Sequence, residues 1–265
     1  KKISYNNIID VDSGLRCLNE FSEPTSIIIK HTNPCGVASG RKIQDAFLKS
    51  YQSDSKSAFG GIIFLNRKVD LNLANKIYKN FFEMVVATDF EDKAVKKLKM
   101  KKNLILLKIP NVKKQIKSYR STIFGELHQT NDITPINKNF LNLSSRKKAS
   151  LKQIDDLIFS LKVVKHLKSN AVVLVKNKQT VGLGHGQTNR IDALNFAIKN
   201  KYIYFKNKSF VCASDGFFPF TDSINLLKKN GCNIVAQPNG SINDKDIINF
   251  AIKNNISLYF IKNRL

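Results

Sequence analysis

Short apolar runs rich in β-branched residues recur along the chain, and amphipathic helical patterns separate most of them. TSIIIK at residues 25–30 and AVVLV at residues 171–175 are typical of buried strands. The other predicted strands are GIIFL (61–65), MVVA (84–87), LILLKI (104–109), FVCA (210–213), NIVA (233–236) and SLYFI (257–261). Strands that alternate with helices predict an α/β fold with a mainly parallel sheet.

The clearest helical pattern begins at about Leu151, where apolar residues recur every three or four positions. Ser150 and Gln153 have the spacing of a capping box in front of it. The polar stretch LNLSSRKKAS at residues 141–150 precedes this helix. We therefore predict a first lobe at residues 1–147 and a second lobe at residues 148–265.

Both lobes contain a strand that ends in a lysine and a second hydrogen-bonding residue. TSIIIK ends in Lys30 and His31, and SNAVVLVK ends in Lys176 and Asn177. Because ligands in α/β sheets bind at the carboxyl ends of strands, we expect the two pairs to face one cleft. The match is too short to demonstrate an internal duplication.

The pair Lys30-His31 has the chemistry of a proton-transfer site. Imidazole titrates at about pH 6.5, which suits a general base, and a neighbouring ammonium can donate a proton or polarise a carbonyl. Asn33, Pro34 and Gly36 predict the turn that brings both side chains to one site. A surface lysine beside a histidine that only caps the strand remains the alternative.

The chain has 265 residues, of which 42% are hydrophobic, and no apolar run approaches the roughly 20 residues of a membrane helix. The first residues, KKISYNNIID, lack the apolar core of a secretory signal. The four cysteines show no framework spacing. We therefore expect a cytoplasmic protein without a membrane partner.

The net charge of +24 first suggests a nucleic-acid partner. However, only seven of the 44 basic residues are arginine, the side chain preferred for phosphate and guanine. Scattered lysine with abundant asparagine and isoleucine is also what A+T-rich codons produce. We expect no nucleic-acid partner, and a basic nucleic-acid-binding protein stays as the alternative.

A zinc site is a weaker candidate. Pro34-Cys35 resembles half of the zinc deaminase signature. Ala38 stands where the second cysteine is needed, and no glutamate follows His31 at the required spacing. Too few ligands remain for a tetrahedral metal, so we predict no zinc.

The segment VGLGHGQTNR at residues 181–190 has three alternating glycines before a helix predicted to start near Asn189. Its backbone amides and Arg190 favour an anion site, although Gln187 breaks the dinucleotide fingerprint. A connection that lets two chain segments pass closely is the alternative.

Two later segments combine turns with polar residues. SDGFFPFTDS at residues 214–223 predicts either core aromatics or a wall for a flat heterocycle, with Asp222 as a helix N-cap. QPNGS at residues 237–241 opens the next helix, with Ser241 as a cap or a ligand contact.

Six segments taken together resemble one known family. They are, in order, KHTNPCG, SAFGG (57–61), KSNAVVLVKN (168–177), VGLGHGQTNR, SDGFFPF and QPNGS. Their order is similar to that of the AICAR transformylase domain of the bifunctional purine biosynthesis family, from SYNNI (4–8) to KNRL (262–265). The resemblance implies two cytidine-deaminase-like lobes without zinc, and transfer of a formyl group from 10-formyltetrahydrofolate to AICAR in IMP biosynthesis. It also implies a homodimer with shared active sites, and leaves a bound monovalent cation open.

The resemblance also implies roles for individual residues. His31 is the expected general base, Lys30 stabilises the transition state, and Asn177 holds the nucleotide amide or the formyl oxygen. The expected nucleotide-binding residues are Gly60, Glu83 and Arg190. The expected folate-binding residues are Ile191, Phe217, Asp222, Ser241, Ile242 and Arg264.

The chain departs from the family pattern in two respects. His185 stands where the family usually has alanine. The family's R-Y-G-x-N-P-H-Q segment, which helps to hold the nucleotide phosphate, and its cyclohydrolase domain both precede the region that this chain matches. An inactive fragment therefore stays as a further alternative.

Overall fold

Two stretches of the chain fold into the same series of helices and strands. The computed structural model describes residues 2–110, 117–205 and 209–265. The first half, residues 5–108, contains α1 (Tyr5–Leu18), β1 (Thr25–Lys30), β2 (Asn33–Ser39), α2 (Ile43–Ser53), β3 (Ile62–Leu65), α3 (Leu71–Tyr78), β4 (Met84–Ala87), α4 (Asp92–Lys99) and β5 (Ile105–Lys108). The connection contains β6 (Lys117–Thr122), β7 (Gly125–Thr130), a 3-10 turn (Lys138–Phe140) and β8 (Asn142–Leu143). The second half, residues 151–261, contains α5 (Leu151–Val164), β9 (Val172–Lys176), β10 (Gln179–Gly184), α6 (Arg190–Tyr204), β11 (Val211–Ser214), α7 (Thr221–Lys229), β12 (Ile234–Pro238), α8 (Asp244–Lys253) and β13 (Ser257–Ile261).

One mixed sheet joins the two halves. In the described residues it has eleven strands in the order β5-β4-β3-β1-β2-β10-β9-β11-β12-β13-β8, and β6 pairs with β7 in a separate hairpin. The halves meet where β2 and β10 pair antiparallel, with Ala38 opposite Gln179. Side chains reinforce this seam, because the Thr180 hydroxyl lies 3.0 Å from the Val37 backbone nitrogen, which donates to it.

The repeated order of elements reveals an internal duplication. Both halves begin with a capping box, at Ser4 and at Ser150, on a helix of 14 residues. In α1 and α5, equivalent residues are therefore 146 positions apart, as Ser4 and Ser150 are. Asp10 and Asp156 therefore occupy the same position of their helices. The capping box predicted at Ser150 is confirmed, and the structure reveals a duplication that the sequence match was too short to demonstrate.

The prediction of a mainly parallel sheet is wrong in both halves. β3, β4 and β5 run parallel, as do β11, β12 and β13, because helices connect them. β1 pairs antiparallel with both β2 and β3, and β9 pairs antiparallel with both β10 and β11. A two-residue turn permits only antiparallel pairing, so each hairpin fixes the mixed character of its half.

The eight predicted strands all exist, but β6, β7 and β8 of the connection and two strands at the centre of the sheet escaped prediction. The two central strands are β2 and β10. Their glycines and Pro34 conceal the β pattern, and the structure explains the glycines. A Cβ atom on Gly36 would lie 2.0 Å from the Ser50 carbonyl oxygen of α2, and one on Gly182 would lie 2.2 Å from the Ala197 carbonyl oxygen of α6. Glycine at these positions allows a helix to lie directly on the strand.

The turn that follows β1 lies two residues earlier than predicted. His31 and Thr32 have φ of 53° and 66°, and Asn33 and Pro34 already belong to β2. Two consecutive left-handed residues are typical of a type I′ hairpin turn, whose twist matches that of the flanking strands. Pro34 lies where the register of β1 and β2 shifts, a position that tolerates the missing N–H.

The core has a different form on each face of the sheet. On one face, α1 and α5 cover a single apolar cluster that includes Ile27, Ile29, Val173 and Val175 and spans both halves. On the other face, α2, α3 and α4 cover one cluster, and α6, α7 and α8 cover a separate one. None of the helices in the described residues combines the length and the apolar character that crossing a membrane requires.

Candidate active site

Nearly all the predicted site residues lie at one edge of the sheet. The Lys30 edge, as we call it, carries the carboxyl ends of β1, β10, β11, β12 and β13 and the amino ends of β3, β4 and β9. The predicted residues that follow or precede these strand ends are Lys30, His31, Gly60, Glu83, Arg190, Ile191, Phe217, Asp222, Ser241, Ile242 and Arg264. Asn177 is the predicted site residue that does not lie at this edge.

Asn177 lies at the opposite edge of the sheet from Lys30. It follows β9, which runs antiparallel to β1 because three antiparallel pairings separate the two strands. Its neighbour Lys178 contacts Glu23, which precedes β1, at 2.8 Å. Five to seven residues of strand put the two edges roughly 20 Å apart. The expectation that one chain brings Asn177 and His31 into one cleft is therefore wrong.

Lys30 and His31 line a cavity of about 740 Å³ above the seam between the halves. Its floor includes Pro34 and Cys35 of β2 and Thr180 and Gly182 of β10, and the ends of α2 and α6 form its sides. The cavity occupies the gap between the two apolar clusters on this face of the sheet. Residues of both halves therefore line it.

The turn that carries His31 is held by α1. Asp10 accepts a hydrogen bond from the Thr32 backbone nitrogen at 2.6 Å, and the Ser13 hydroxyl donates to the Thr32 carbonyl oxygen at 2.6 Å. These bonds stabilise two non-glycine residues with positive φ, which otherwise cost free energy. Contacts within the first half of the chain therefore hold the backbone that presents His31.

Lys30 connects the turn to the next predicted residues. Its ammonium donates to the Phe59 carbonyl oxygen at 2.8 Å, one residue before Gly60. The Gly60 nitrogen donates to the Phe81 carbonyl oxygen at 3.0 Å, and Glu83 accepts from the Asn7 amide at 3.1 Å. These contacts gather Lys30, Gly60 and Glu83 beside the amino end of α1.

A second polar cluster surrounds Arg190. Its guanidinium forms an ion pair with the buried Asp215 and donates to the Ser214 hydroxyl at 2.8 Å and to the Asn170 side-chain oxygen at 2.7 Å. Asp215 also accepts from the Ala171 nitrogen at 2.9 Å and from the Ser169 hydroxyl. Several charge-assisted bonds converge here, so the position of Arg190 is well defined.

Asn170 is a residue that the sequence reasoning missed. It lies in the KSN segment directly before β9, and thus at the Lys30 edge, whereas Asn177 lies at the far end of the same strand. Its amide nitrogen donates to the Gln187 carbonyl oxygen at 2.9 Å, and its oxygen accepts from Arg190. The segment is one of those that carry the family resemblance, but only the strand direction shows which asparagine lies among the other site residues.

The predicted folate-site residues lie in loops after β10, β11, β12 and β13. The Arg264 guanidinium lies 5.0 Å from the centre of the Phe217 ring, which is close enough for a cation–π contact. Ile242 is fully exposed. The predicted N-cap role of Asp222 is wrong, because α7 is capped at Phe220 and Asp222 lies in its first turn. Ser241 also lies outside α8, whose N-cap is Asn243, and it accepts from the Asn243 nitrogen at 3.2 Å.

Two glycines of the glycine-rich segment at residues 181–190 allow two chain segments to pass closely, which was the alternative to an anion site. Gly182 and Gly184 belong to β10, and a Cβ on Gly184 would lie 1.8 Å from the Ala193 carbonyl oxygen of α6. The predicted helix start is confirmed, since α6 begins at Arg190 with Asn189 as its N-cap. Arg190, which favoured an anion site, is held by Asp215.

Cys35 lines the cavity but is a poor nucleophile. Burial and then the nearby Asp54 carboxylate raise the pKa of the Cys35 thiol to about 12. Its sulfur contacts the Ile28 carbonyl oxygen at 3.4 Å. Among the residues that the structure describes, no group of three or more histidine, cysteine, aspartate or glutamate side chains is arranged to hold a metal ion.

Comparisons with known proteins identify similar sequences over most of the chain. The model of a family described as "AICARFT/IMPCHase bienzyme" matches residues 1–200. The "Bifunctional purine biosynthesis protein PurH" of Caldicellulosiruptor bescii is 46% identical over 98% of this chain and 50% of that protein. The protein of the same name from Buchnera aphidicola subsp. Baizongia pistaciae is 44% identical over 100% of this chain and 51% of that protein.

The chain thus spans about half the length of these curated relatives. Among solved structures, the apo form of a dCMP deaminase from the cyanophage S-TIM5 is 12% identical with a TM-score of 0.31, and it covers 41% of this chain and 100% of its own. That likeness is too slight to bear on the fold.

Proposed function

Since the chain belongs to the AICARFT/IMPCHase bienzyme family, we propose that it transfers a formyl group from 10-formyltetrahydrofolate to the 5-amino group of AICAR. The products are formyl-AICAR and tetrahydrofolate, in the IMP branch of purine biosynthesis. The observation that carries the proposal is the pair Lys30 and His31, which a fixed turn presents to a cavity of about 740 Å³.

The chemistry explains why a base and an ammonium are needed together. The AICAR amine is a weak nucleophile, because its lone pair is delocalised into the imidazole ring. In the proposed reaction His31 removes a proton from the amine as its nitrogen attacks the formyl carbon. Lys30 stabilises the negative charge that develops on the formyl oxygen, and the folate nitrogen leaves with a proton supplied by the newly protonated His31 or by Lys30. A positioned base typically contributes about 10²–10⁴ in rate.

Asn170, rather than Asn177, is the asparagine that we assign to this site. Its bond to Arg190 and its position before β9 support the assignment, since it shares the Lys30 edge with the other residues. An amide offers both a donor and an acceptor, which suits contact with a carboxamide or a formyl oxygen. Gly60, Glu83 and Arg190 are proposed for the nucleotide, and Ile191, Phe217, Asp222, Ser241, Ile242 and Arg264 for the folate.

The proposal includes two copies of the chain that share their sites. On one chain, Glu83 at β4 and Arg190 near β9 are separated by about five strand spacings, or roughly 24 Å. That distance exceeds the length of one ribonucleotide, which supports a shared site in which Glu83 and Arg190 on the same nucleotide come from different copies. Exposed apolar residues beside both clusters, Phe59, Phe81, Phe220 and Ile242, suit a surface that a second copy covers.

Three finer points belong to the same proposal. The repeated order of helices and strands in the two halves supports a pair of deaminase-like lobes, with their boundary between residues 147 and 148. A cytoplasmic location fits a reaction on soluble metabolites. A monovalent cation is a further proposed ligand.

A steady-state assay with AICAR and 10-formyltetrahydrofolate tests the proposal. We expect tetrahydrofolate to form, and an Asn170→Ala variant to lose about ten-fold or more in kcat/KM, as for the loss of one oriented hydrogen bond in a site. The matched Asn177→Ala variant should stay within about two-fold of the wild type. Absence of turnover together with absence of AICAR binding would support the inactive fragment. Tight, salt-sensitive RNA binding instead would support the nucleic-acid alternative.

A further inference from the structure

The cavity above the seam contains more positive charge than the proposed proton transfer requires. Lys56, in the loop after α2, lines it from the first half, and Lys199 on α6 lines it from the second half. In the described part of the chain neither lysine has a carboxylate within ion-pair distance. With Lys30, three lysines therefore line the same space.

The acidic residue of this cavity does not balance these charges. Asp54 is the one carboxylate among the lining residues, and its single negative charge offsets only one of the three lysine charges. It accepts from the Ser57 nitrogen at 2.9 Å, from the Ser57 hydroxyl at 2.6 Å and from the Tyr204 hydroxyl at 2.9 Å. Among the described residues, neither Lys56 nor Lys199 forms an ion pair with Asp54 or with another carboxylate.

His185 adds a neutral polar group to the same wall. It lines the cavity, and its ring nitrogens have no hydrogen-bond partner among the described residues. Burial and then the nearby Lys168 ammonium lower the pKa of His185, so its ring is neutral at pH 7. A neutral imidazole offers one donor and one acceptor to a ligand.

We propose that this cavity holds the anionic end of a substrate whose reactive group lies at Lys30 and His31, with Lys56 and Lys199 as its ionic contacts and His185 as a hydrogen-bonding one. The inference rests on the proposed function and names the chemistry of that site. The anion is a phosphate or a carboxylate. The AICAR phosphate and the glutamate carboxylates of the folate are its two sources.

Two features of the cavity fit this occupant. A volume of about 740 Å³ leaves room beyond the reacting groups. Lysine ammonium groups on flexible stems bind anions as point charges without a demand on geometry, whereas an arginine fork selects planar bidentate contacts. The site therefore suits an anion whose position varies by a few ångströms, such as the end of a long substrate.

The test compares the wild type with a Lys56→Gln/Lys199→Gln double variant. We expect KM for the anion-bearing substrate to rise about ten-fold, from about three-fold for each lost ionic contact, while kcat stays within about two-fold. Lys229→Gln, an exposed lysine on α7 outside the cavity, removes the same charge and should leave KM within about two-fold. His185→Ala should raise the same KM by about three-fold.

The choice of substrate separates the two sources. If the phosphate occupies the cavity, the double variant should affect AICAR but not its phosphate-free riboside. If the carboxylates occupy it, the effect should appear with the folate and grow from one to three glutamate residues. An active double variant with wild-type KM for all of these substrates would overturn the inference.

Equilibrium dialysis with AICAR and with 10-formyltetrahydrofolate distinguishes failure of the inference from failure of the proposed function. Wild-type protein that binds both ligands but transfers no formyl group contradicts the proposed function alone. Equal binding by the wild type and the double variant contradicts the inference alone. Weaker binding of one ligand by the double variant supports the inference whether or not turnover occurs, and binding of neither ligand by the wild type contradicts both.

Discussion

The two hairpin turns of the duplicated fold have the same backbone and different chemistry. His31 and Thr32 have φ of 53° and 66°, and Asn177 and Lys178 have φ of 52° and 53°. Each turn follows a lysine whose ammonium bonds just ahead of the strand on the other side of its own strand. Lys30 bonds to the Phe59 carbonyl oxygen ahead of β3, and Lys176 bonds to the Ser209 hydroxyl ahead of β11. Only the first turn carries an imidazole, and only the first lines the large cavity.

The comparison separates what determines the backbone of each turn from what determines its chemistry. Asp10 and Asp156, at equivalent positions of α1 and α5, accept hydrogen bonds from the backbone nitrogens of their turns. The helix thus fixes the turn in both halves. The side chain at the first turn position then decides whether the turn can take up a proton, since imidazole can and an amide cannot.

The largest expected effect comes from exchanging these side chains. His31→Asn gives the first turn the chemistry of the second and removes the proposed base, so we expect kcat to fall by at least about 10²-fold. The reciprocal Asn177→His variant places an imidazole at the opposite edge, far from Lys30, and should keep kcat within about two-fold of the wild type. Both backbones already have positive φ, so circular dichroism should be unchanged.

Comparable loss of activity in the two exchange variants would contradict the distinction between the two turns. It would indicate instead that both turns contribute to one site, as across two copies of the chain. A mixture of the two inactive variants would then regain activity, which a single-chain site would not allow.

The next effect concerns stability and uses the two helix aspartates. Asp156 is buried and accepts from the Asn177 and Lys178 nitrogens at 2.8 Å and 2.7 Å, whereas the half-buried Asp10 accepts from one nitrogen at 2.6 Å. Hydrogen bonds to a charged group contribute about 1.5–3 kcal/mol. Asp156→Ala should therefore lower the free energy of unfolding in urea by about 3 kcal/mol, and Asp10→Ala by about half as much.

Asp155→Ala provides the control, because Asp155 is exposed on the same helix and should change the free energy of unfolding by no more than about 0.5 kcal/mol. The two aspartates should also differ in activity. Asp10→Ala loosens the turn that presents His31 and should lower kcat, while Asp156→Ala should not. Equal losses of stability at the two positions would show that the count of bonds and the burial do not govern their roles.

The smallest effect concerns the point where the two halves touch each other through equivalent positions. Glu20 and His166 are 146 positions apart, and their side chains meet at 3.3 Å, with Lys165 3.2 Å from the same carboxylate. Burial opposes ionisation of Glu20, but the hydrogen bonds and charges of His166 and Lys165 outweigh it and lower the Glu20 pKa. The charged carboxylate therefore stabilises the folded state.

Glu20→Gln should accordingly destabilise the protein by about 1–2 kcal/mol at neutral pH. A lowered folded pKa contributes stability above the unfolded pKa of about 4.3, and this contribution disappears as the pH falls through the folded pKa. Urea unfolding of both proteins between pH 7 and pH 3 checks this, and the gap should close at the acid end. Glu126→Gln, at an exposed glutamate that also faces a histidine, is the control and should show no such gap.

Local patterns predicted the elements well where apolar side chains mark them. The β-branched runs identified β1 and β9, and the capping box at Ser150 identified the start of α5. β2 and β10 were not predicted because glycines interrupt their apolar pattern. Gly36, Gly182 and Gly184 allow the backbones of α2 and α6 to lie directly on these strands, and a pattern of apolar residues does not reveal such contacts. Positive φ at His31 and Thr32 depends on Asp10 and Ser13, which are distant in sequence.

The site was predicted in part for a related reason. Lys30 and His31, which were predicted because a strand end and a proton-transfer pair coincide in sequence, both line the cavity, while their catalytic role stays a prediction. The prediction for Asn177 was wrong because of strand direction. The carboxyl ends of two strands lie at the same edge of a sheet only when the strands run parallel, and β1 and β9 run antiparallel. The antiparallel pairing of β2 with β10 reverses the second half and brings Asn170 to the edge where Asn177 was expected.

The seam between β2 and β10 also has a consequence for the order of folding. Its bond between Val37 and Thr180 joins residues 143 positions apart, whereas each hairpin closes over two residues. Closing so long a loop costs more chain entropy than closing a hairpin, and contacts between distant residues form slowly. We expect the two halves to acquire their own structure first and the seam to close last. The cavity above the seam would then form only at the final step, so regain of the proposed activity should lag behind regain of secondary structure during refolding.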